Sequence, residues 1–434
     1  MLANAATPLL GLVDTAVIGR SGDVAGLGAL ALGALIFNFL YWAFGFLRMG
    51  TTGFVAAAHG AGDAAELRAA AARALLLGAG FGLLLWLLRA PLALLALELF
   101  GASAEVEDGA RRYLTLRLWG APASLATFAL MGVLIGLART GEVLRVQLLL
   151  NALNIVFDLL FALVLGFGLA GIAVGTALAE WLALGYALWR LHRVLAVEAP
   201  GPSPDWARLR DLVALRRMLK ANGDILLRTL TMLASFAWFV NSAAGYGDAT
   251  LAANHLLLQF VSLSAYVLDG YAHAAEPLVG RALGARDRGL YRRTLARGLH
   301  LAVAAGLAMA ALVAWAGPTV IDLLTTLTPV REVAHSYLLW PALYVALSTL
   351  AFQLDGVFIG AGATVAMRNM ALLSAALFGL AQALLQPLAG YAGLWAAFVL
   401  YVLARGLSLS ACLPALGRRL DGAAGAKAAP APRD

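Results

Sequence analysis

The chain of 434 residues is 62% hydrophobic and only 13% charged, and its formal net charge is +7. A mean hydropathy of +0.84 is too high for a soluble globular protein, and the basic residues are scattered between apolar segments in a way that does not indicate nucleic-acid binding. The single cysteine, Cys412, excludes a disulfide framework and a cysteine-based metal site. The amino-terminal residues lack a basic leader, so we expect no cleavable signal peptide.

Twelve apolar segments are each long enough to cross a bilayer, which takes about 20 residues. They are predicted at 1–19, 26–47, 69–99, 110–138, 143–165, 169–195, 219–245, 249–279, 294–325, 333–360, 366–388 and 391–416. A proline-rich segment at 198–206 falls near the middle of the chain and breaks the helical pattern. We therefore predict an all-α integral membrane protein with a six-helix bundle at 1–197, a cytoplasmic linker at 198–212, a second bundle at 213–420 and a disordered tail at 421–434.

Lysine and arginine are concentrated in one of the two sets of connecting loops. That set includes Arg68, Arg139, Arg217 and Arg293, whereas the other set carries only Arg20, Arg111, Arg112 and Arg331. Because basic loops stay on the cytoplasmic side, this asymmetry predicts that both termini are cytoplasmic.

The two halves of the chain repeat each other at a nearly constant offset. Gly60 and Asp63 correspond to Gly284 and Asp287, 224 positions later, and the VLIG segment at 133–136 corresponds to VFIG, again 224 positions later. Each half holds six spans, an even number, so the two copies should have the same orientation in the membrane. Parallel repeats of this kind are a transporter architecture.

Two carboxylates lie inside apolar spans of the first half, Asp14 in the first and Asp158 in the fifth. An acid at the centre of a spanning helix costs about 2.5–3.5 kcal/mol on insertion scales and usually marks a functional site. At 1.5 Å per residue, Asp14, Asp158 and Thr176 of the sixth span all lie about 20 Å from the cytoplasmic side. Asn154 shares a helix face with Asp158, and Glu180 shares one with Thr176.

Five segments of the chain carry distinctive motifs: PLLGLVDTAVIGR at 8–20, NALNIVFDLLF at 151–161, NGDILLRTL at 222–230, YVLDGYAHAAEPLVGRALGARD at 266–287 and FQLDGVFIGA at 352–361. These motifs resemble the multidrug and toxic compound extrusion (MATE) family, in particular its branch related to DNA-damage-inducible protein F (DinF). The resemblance implies two six-helix bundles in a V around a central cavity, and export coupled to the inward flow of protons or sodium. It also implies a cation site, which would comprise Asp14, Asn154, Asp158 and Thr176.

The coupling ion stays open at the level of sequence. Sodium needs about five or six hard oxygens, whereas two close carboxylates can share one proton without further ligands. We favour protons over sodium on this ground, and we keep Glu180 as a candidate additional ligand.

The second half differs in its buried charges. The repeat places Trp238 and Gln382 at the positions of the two membrane acids, so the coupling site is expected in the first half alone. Asp224 and Arg228 are four residues apart on the seventh span, and we predict that they form a cytoplasmic-side ionic cluster with Asp355 of the tenth.

These features favour a secondary active exporter of organic solutes, cationic or amphipathic and drug-like, over two alternatives. A flippase for a lipid-linked precursor would need a more basic cavity, and an enzyme or channel would need a catalytic constellation or a ring of pore charges. We expect a monomer in the bacterial cytoplasmic (inner) membrane whose partners are small organic solutes and the lipid bilayer. We expect no cofactor beyond the coupling ion, no catalytic activity and no nucleic acid.

Overall fold

The computed structural model describes residues 24–98, 103–201 and 206–427. The first predicted span, at 1–19, lies outside the described residues, and so does Asp14. Every regular element in the described ranges is helical. By its internal contacts the chain divides into two compact units, Met1–Leu219 and Lys220–Asp434.

Unit 1 contains the helices that precede and include the linker. They are α1 (Val24–Ala43), α2 (Phe46–Gly60), α3 (Ala64–Leu87), α4 (Arg89–Leu97), α5 (Ala104–Arg117), α6 (Ala121–Gly136), α7 (Thr140–Asp158), α8 (Gly168–Glu198) and α9 (Trp206–Leu209). A 3-10 turn, Leu118–Gly120, joins α5 to α6, and a π-helical stretch, Leu159–Val164, follows α7.

Unit 2 begins within a long helix that starts in the linker. Its helices are α10 (Leu212–Ala244), α11 (Asp248–Gly284), α12 (Arg288–Leu324), α13 (Thr328–Tyr337), α14 (Leu339–Gly360) and α15 (Thr364–Lys427).

Within the described ranges, ten helical segments are long and apolar enough to cross a membrane. The last of them, in α15, contains Gly390, whose φ of 58° and ψ of −132° are not helical. Because the chain kinks there, this segment holds two predicted spans, and the described residues account for eleven crossings. The all-α multi-pass architecture predicted from hydropathy is confirmed.

Some helices are longer than the hydropathy pattern predicted. The second span was predicted to end at residue 47, just before Arg48, but α2 continues the helical path to Gly60. Most of its residues beyond Arg48 are buried, among them Thr52 and Val55, and α2 packs against α6 along this stretch. Tertiary packing therefore extends a helix whose apolar run has already ended.

The end of the chain also differs from the prediction. Disorder was predicted from residue 421, whereas the structure continues α15 to Lys427. Three of the six residues from 422 to 427 are alanine, which has the highest helix propensity, and the first proline beyond them is Pro430.

The sequence repeat has a structural counterpart in each unit. Gly132 and Gly136 of α6 lie against the main chain of α2 at residues 48 and 52, where an added Cβ would meet backbone oxygens. Gly356 and Gly360, 224 positions later, lie in the same way against α11 at residues 272 and 276. Small residues four apart allow two helix backbones to approach closely, so each unit contains the same tightly packed helix pair.

Two arginines attach the linker to the helices that precede it in unit 1. Arg68 donates to the carbonyl of Ala199, and Arg208 Nη1 lies 3.1 Å from Asp63 Oδ1. Asp63 also caps α3 by accepting from the amide of Glu66 at 2.9 Å. This amide, and with it Arg208, lowers the pKa of Asp63 below its usual value.

Candidate functional site

The described part of the predicted cation site lies between α7 and α8. Asn154 and Asp158 of α7 are 1% and 0% exposed, and Thr176 of α8 is 9% exposed. Asn154 Nδ2 donates to Thr176 Oγ1 at 2.7 Å, and Thr176 Oγ1 donates in turn to the carbonyl of Ile172 at 2.8 Å. The structure therefore brings together the three described members of the predicted set.

Two features of the backbone allow this close packing. Gly175 of α8 faces Asp158, and a Cβ added there would lie 3.1 Å from Asp158 Oδ1. Gly171, one turn earlier, lies closer still to the main chain at Phe161, where an added Cβ would meet the carbonyl carbon at 2.7 Å. Asp158 is also the last residue before the π-helical stretch, and such stretches occur frequently at functional sites. Glycines on one helix and an irregular turn on the other place a carboxylate in a fully buried position.

A row of amides on α7 leads to this site and was not singled out from the sequence. Gln147 Nε2 donates to Asn151 Oδ1 at 3.2 Å, and Asn151 is buried. Asn151 and Gln147 precede Asp158 by seven and eleven residues, spacings that keep all three on one helix face. This periodicity was visible in the sequence and could have indicated a polar track.

Glu180, the candidate additional ligand, has a different set of contacts. Its Oε2 lies 2.8 Å from Arg117 Nη1, and its Oε1 accepts from Ser124 Oγ at 3.0 Å. Gly120 leaves the space that the carboxylate occupies, and the guanidinium of Arg117 lies 4.2 Å from the ring centroid of Phe37. Glu180 is thus the counter-ion of a buried arginine that sequence reasoning missed.

In unit 2 the positions that correspond to the acids carry no charge. Gln382 Nε2 donates to Ser242 Oγ at 2.7 Å and to Gln386 Oε1 at 2.9 Å. Trp238 packs edge to face on Phe378, with ring centroids 5.7 Å apart. These contacts show that α10 and α15 touch at the level that corresponds to the first and fifth spans.

The predicted ionic cluster of unit 2 is arranged differently from the prediction. Asp355 Oδ2 accepts hydrogen bonds from Arg228 and from Arg405, and all three side chains are buried. Asp224, expected to pair with Arg228 on the same helix, instead accepts from Arg368 Nη1 at 2.6 Å and from Thr364 Oγ1 at 3.0 Å.

The physical reason is the position of the neighbouring helices. Asp224 and Arg228 each have a partner of opposite charge or a hydroxyl on another helix, and those buried interhelical bonds replace the i,i+4 pair. The sequence analysis did not single out Arg405, because no acidic residue of the same span indicates a partner for it. Asp269 interacts electrostatically with both Arg228 and Arg405, which leaves two buried cations opposite two acids.

The fold and the buried polar site together define a multi-pass membrane protein of the transporter class. The MatE family model matches residues 1–160 and 225–385. The chain is 36% identical over 411 residues to DNA damage-inducible protein F of Escherichia coli (strain K12), covering 95% of this chain and 89% of that protein. It is 28% identical over 420 residues to Protein DETOXIFICATION 44, chloroplastic, of Arabidopsis thaliana, covering 93% and 78%.

Solved structures show the same fold at lower identity. A MATE structure in the bent conformation has a TM-score of 0.86 at 20% identity, covering 98% of this chain and 94% of that one. The Vibrio cholerae MATE transporter VcmN in the bent form has a TM-score of 0.85 at 20% identity, covering 96% and 94%. The chain belongs to the MatE family, the multidrug and toxic compound transporters that its motifs resemble, and it is a transporter rather than an enzyme.

Proposed function

We propose that the protein exports organic solutes, cationic or amphipathic, by antiport with protons bound at Asp14, Asn154, Asp158 and Thr176. The observation that carries the proposal is the fully buried carboxylate of Asp158 beside the Asn154–Thr176 hydrogen bond. The proposed setting is the bacterial cytoplasmic (inner) membrane, with both termini on the cytoplasmic side and a single chain as the working unit.

A buried carboxylate provides a physical basis for coupling. Its charge is costly in a low-dielectric environment, and a bound proton or cation removes that cost. Asp158 therefore favours different packing around α7 and α8 when it is charged and when it is neutralised. A transporter that alternates between two conformations can use this difference to bind the ion on one side of the membrane and release it on the other.

The repeat supports the inclusion of Asp14. Asp14 and Asn154 correspond to Trp238 and Phe378, whose side chains are in contact. If the two units pack alike at this level, Asp14 comes next to Asn154 and one turn from Asp158. Two carboxylates at such a distance titrate as a pair and can hold one proton between them.

The hydrogen bonds favour protons over sodium. Thr176 Oγ1 donates to one carbonyl and accepts from Asn154 Nδ2, so only one of its lone pairs is left for an ion. Asn154 likewise has one amide hydrogen engaged in that bond. A site whose hydroxyl oxygen already accepts one hydrogen bond is better suited to a proton shared by carboxylates than to a cation that needs about five or six ligands.

The flippase alternative has little support from the buried basic residues. In the described part of unit 1, Arg117 pairs with Glu180, and in unit 2 Arg228 and Arg405 both bond Asp355. A pyrophosphate-binding cavity needs basic side chains that are not already neutralised.

The test is transport by the purified full chain in proteoliposomes, with pH and sodium gradients imposed separately at fixed membrane potential. One charge moving down 100 mV releases about 2.3 kcal/mol, enough for roughly fiftyfold accumulation of a solute. Accumulation that follows the pH gradient and vanishes in Asp158→Asn supports the proposal. Accumulation that follows sodium alone would keep the site and replace the ion. Accumulation in Asp158→Asn equal to wild type would refute the site.

A further inference from the structure

A groove in unit 2, with a cavity of about 290 Å³, opens between α11, α12 and α14. It lies near the beginning of α12, where two arginines one turn apart face an apolar wall. The residues that matter here are Leu278, Arg293, Arg297, Gly298, Leu301 and Gln353.

Unit 1 contains the same groove, and a protein side chain fills it. Met218, at the start of α10, is only 2% exposed and packs with Ala74 and Ala129, and also with Phe54 and Leu77. Each of these four residues lies 224 positions before a residue that lines the groove of unit 2: Leu278, Gly298, Leu301 and Gln353. The repeat therefore preserves this groove in unit 2. Among the described residues of unit 2, no methionine takes the place that Met218 has in unit 1.

The charges of the two grooves differ. In unit 1, Arg73 is buried and bonds both oxygens of Glu66 at 3.0 Å. Its counterpart in unit 2 is Arg297, but the position of Glu66 is taken by Leu290, so this counter-ion is lost. Arg293 adds a second positive charge where unit 1 has an alanine. Among the described residues, neither Arg293 nor Arg297 has a hydrogen-bond or ion-pair partner, and both are exposed.

We propose that this groove binds an anionic phospholipid, with its phosphate between Arg293 and Arg297 and its acyl chain along Leu278 and Leu301. Arginines four residues apart on a helix are neighbours about 6 Å apart, which suits two contacts to one phosphate. They lie about 8 and 14 Å along α12 from Arg288, a depth at which a headgroup meets the acyl region.

The surroundings of the groove favour a lipid over other occupants. Beyond the arginines, α12 presents an apolar face to the outside of the unit, with Leu301 61%, Leu307 56% and Trp315 81% exposed. A free phosphate ion would leave the apolar wall uncovered. The segment after Leu420 has as many acidic as basic residues, so it offers no net negative charge to two arginines. The lipid would stabilise the ends of α11, α12 and α14 as Met218 does for the corresponding helices of unit 1.

The experiment measures lipid binding to the purified full chain by native mass spectrometry and by thermal unfolding in detergent. The probes are phosphatidylglycerol, phosphatidylcholine and inorganic phosphate. The test variant is Arg293→Gln/Arg297→Gln. Its matched control is Arg292→Gln, which removes an exposed charge from the same turn of helix but does not line the groove. A third variant, Ala274→Phe, fills the groove and keeps its charge.

We expect phosphatidylglycerol to raise the unfolding temperature of wild type and of Arg292→Gln, and phosphatidylcholine to have a smaller effect. The double variant should bind phosphatidylglycerol at least about tenfold more weakly, because two charge-assisted contacts are lost. Ala274→Phe should weaken binding as well, although both arginines remain.

Four results would each overturn the proposal. The first is an equal response to both lipids, and the second is an equal loss in Arg292→Gln and the double variant. The third is a response to inorganic phosphate as large as the response to lipid. The fourth is a lipid response that appears only when residues 421–434 are removed, since this segment would then be the occupant of the groove.

Discussion

The ion pair between Arg117 and Glu180 allows a prediction that separates a structural role from a role in ion binding. Both side chains are almost fully buried, and the pair is 2.8 Å long. Glu180 was a candidate ligand of the coupling ion, but its contacts make it the counter-ion of Arg117. We predict that each single neutralisation is strongly destabilising and that the double variant Arg117→Met/Glu180→Gln is close to wild type in stability and in ion coupling.

The magnitudes follow from what each variant leaves behind. Glu180→Gln leaves a buried guanidinium that cannot lose its charge, and breaking a buried pair in this way costs about 3–5 kcal/mol. Arg117→Met leaves the carboxyl group of Glu180, which can become neutral by taking up a proton. Protonating an ordinary glutamic acid at pH 7 costs about 3.7 kcal/mol, and this sets an upper limit on the stability lost in this variant. Replacing both partners removes the buried charges and is often neutral or stabilising. The hydroxyl of Ser124 can still donate to the oxygen of a glutamine at 180.

The assay is thermal unfolding of the purified variants, followed by transport under imposed pH and sodium gradients. For a unit of about 200 residues, 3 kcal/mol lowers the melting temperature by roughly 6–12 °C. Arg145→Met is the matched control, because it breaks an exposed pair with Glu142 and should cost less than about 1 kcal/mol. Additive losses in the double variant would refute the pairing. A stable double variant that no longer responds to the coupling ion would show that Glu180 is a ligand after all.

Three further outcomes are expected. Asp14→Asn and Asp158→Asn should each abolish coupled export at normal expression. The double variant should be little worse than either, because residues that act as one site give non-additive losses. A clearly larger loss of transport in the double variant would mean two sites. Export should fall as external pH rises and should not respond to sodium at fixed pH and potential, which vesicle uptake measured over a pH series would check. Arg405→Met should destabilise unit 2 less than Asp355→Asn does, since Asp355 keeps Arg228 in the first variant whereas two buried guanidiniums lose the negative charge that they share in the second. Equal losses by thermal unfolding would contradict this arrangement.

The sequence by itself was sufficient for the class of protein and for much of its architecture. Hydropathy is a local property, so apolar runs of about 20 residues locate the spans without knowledge of how they pack. The repeat could be recognised from the sequence because its marker residues also act locally. Asp63 and Asp287 each cap a helix through a contact only three residues away. Asn154 and Asp158 could be placed on one face by helix periodicity alone.

The partners of the buried charges were decided only by the tertiary structure. The i,i+4 rule favoured a pair between Asp224 and Arg228. In the structure, Asp224 pairs with Arg368 and Arg228 pairs with Asp355. Nothing in the chain pattern connects Arg117 with Glu180, 63 positions away. A charge inside an apolar span must be neutralised by whatever the packing of helices brings within reach. Leaving such a charge without its partner costs about 3–5 kcal/mol, more than the few tenths of a kcal/mol that a local pair contributes. Sequence pattern therefore determines which segments enter the membrane, and helix packing determines which buried charges meet there.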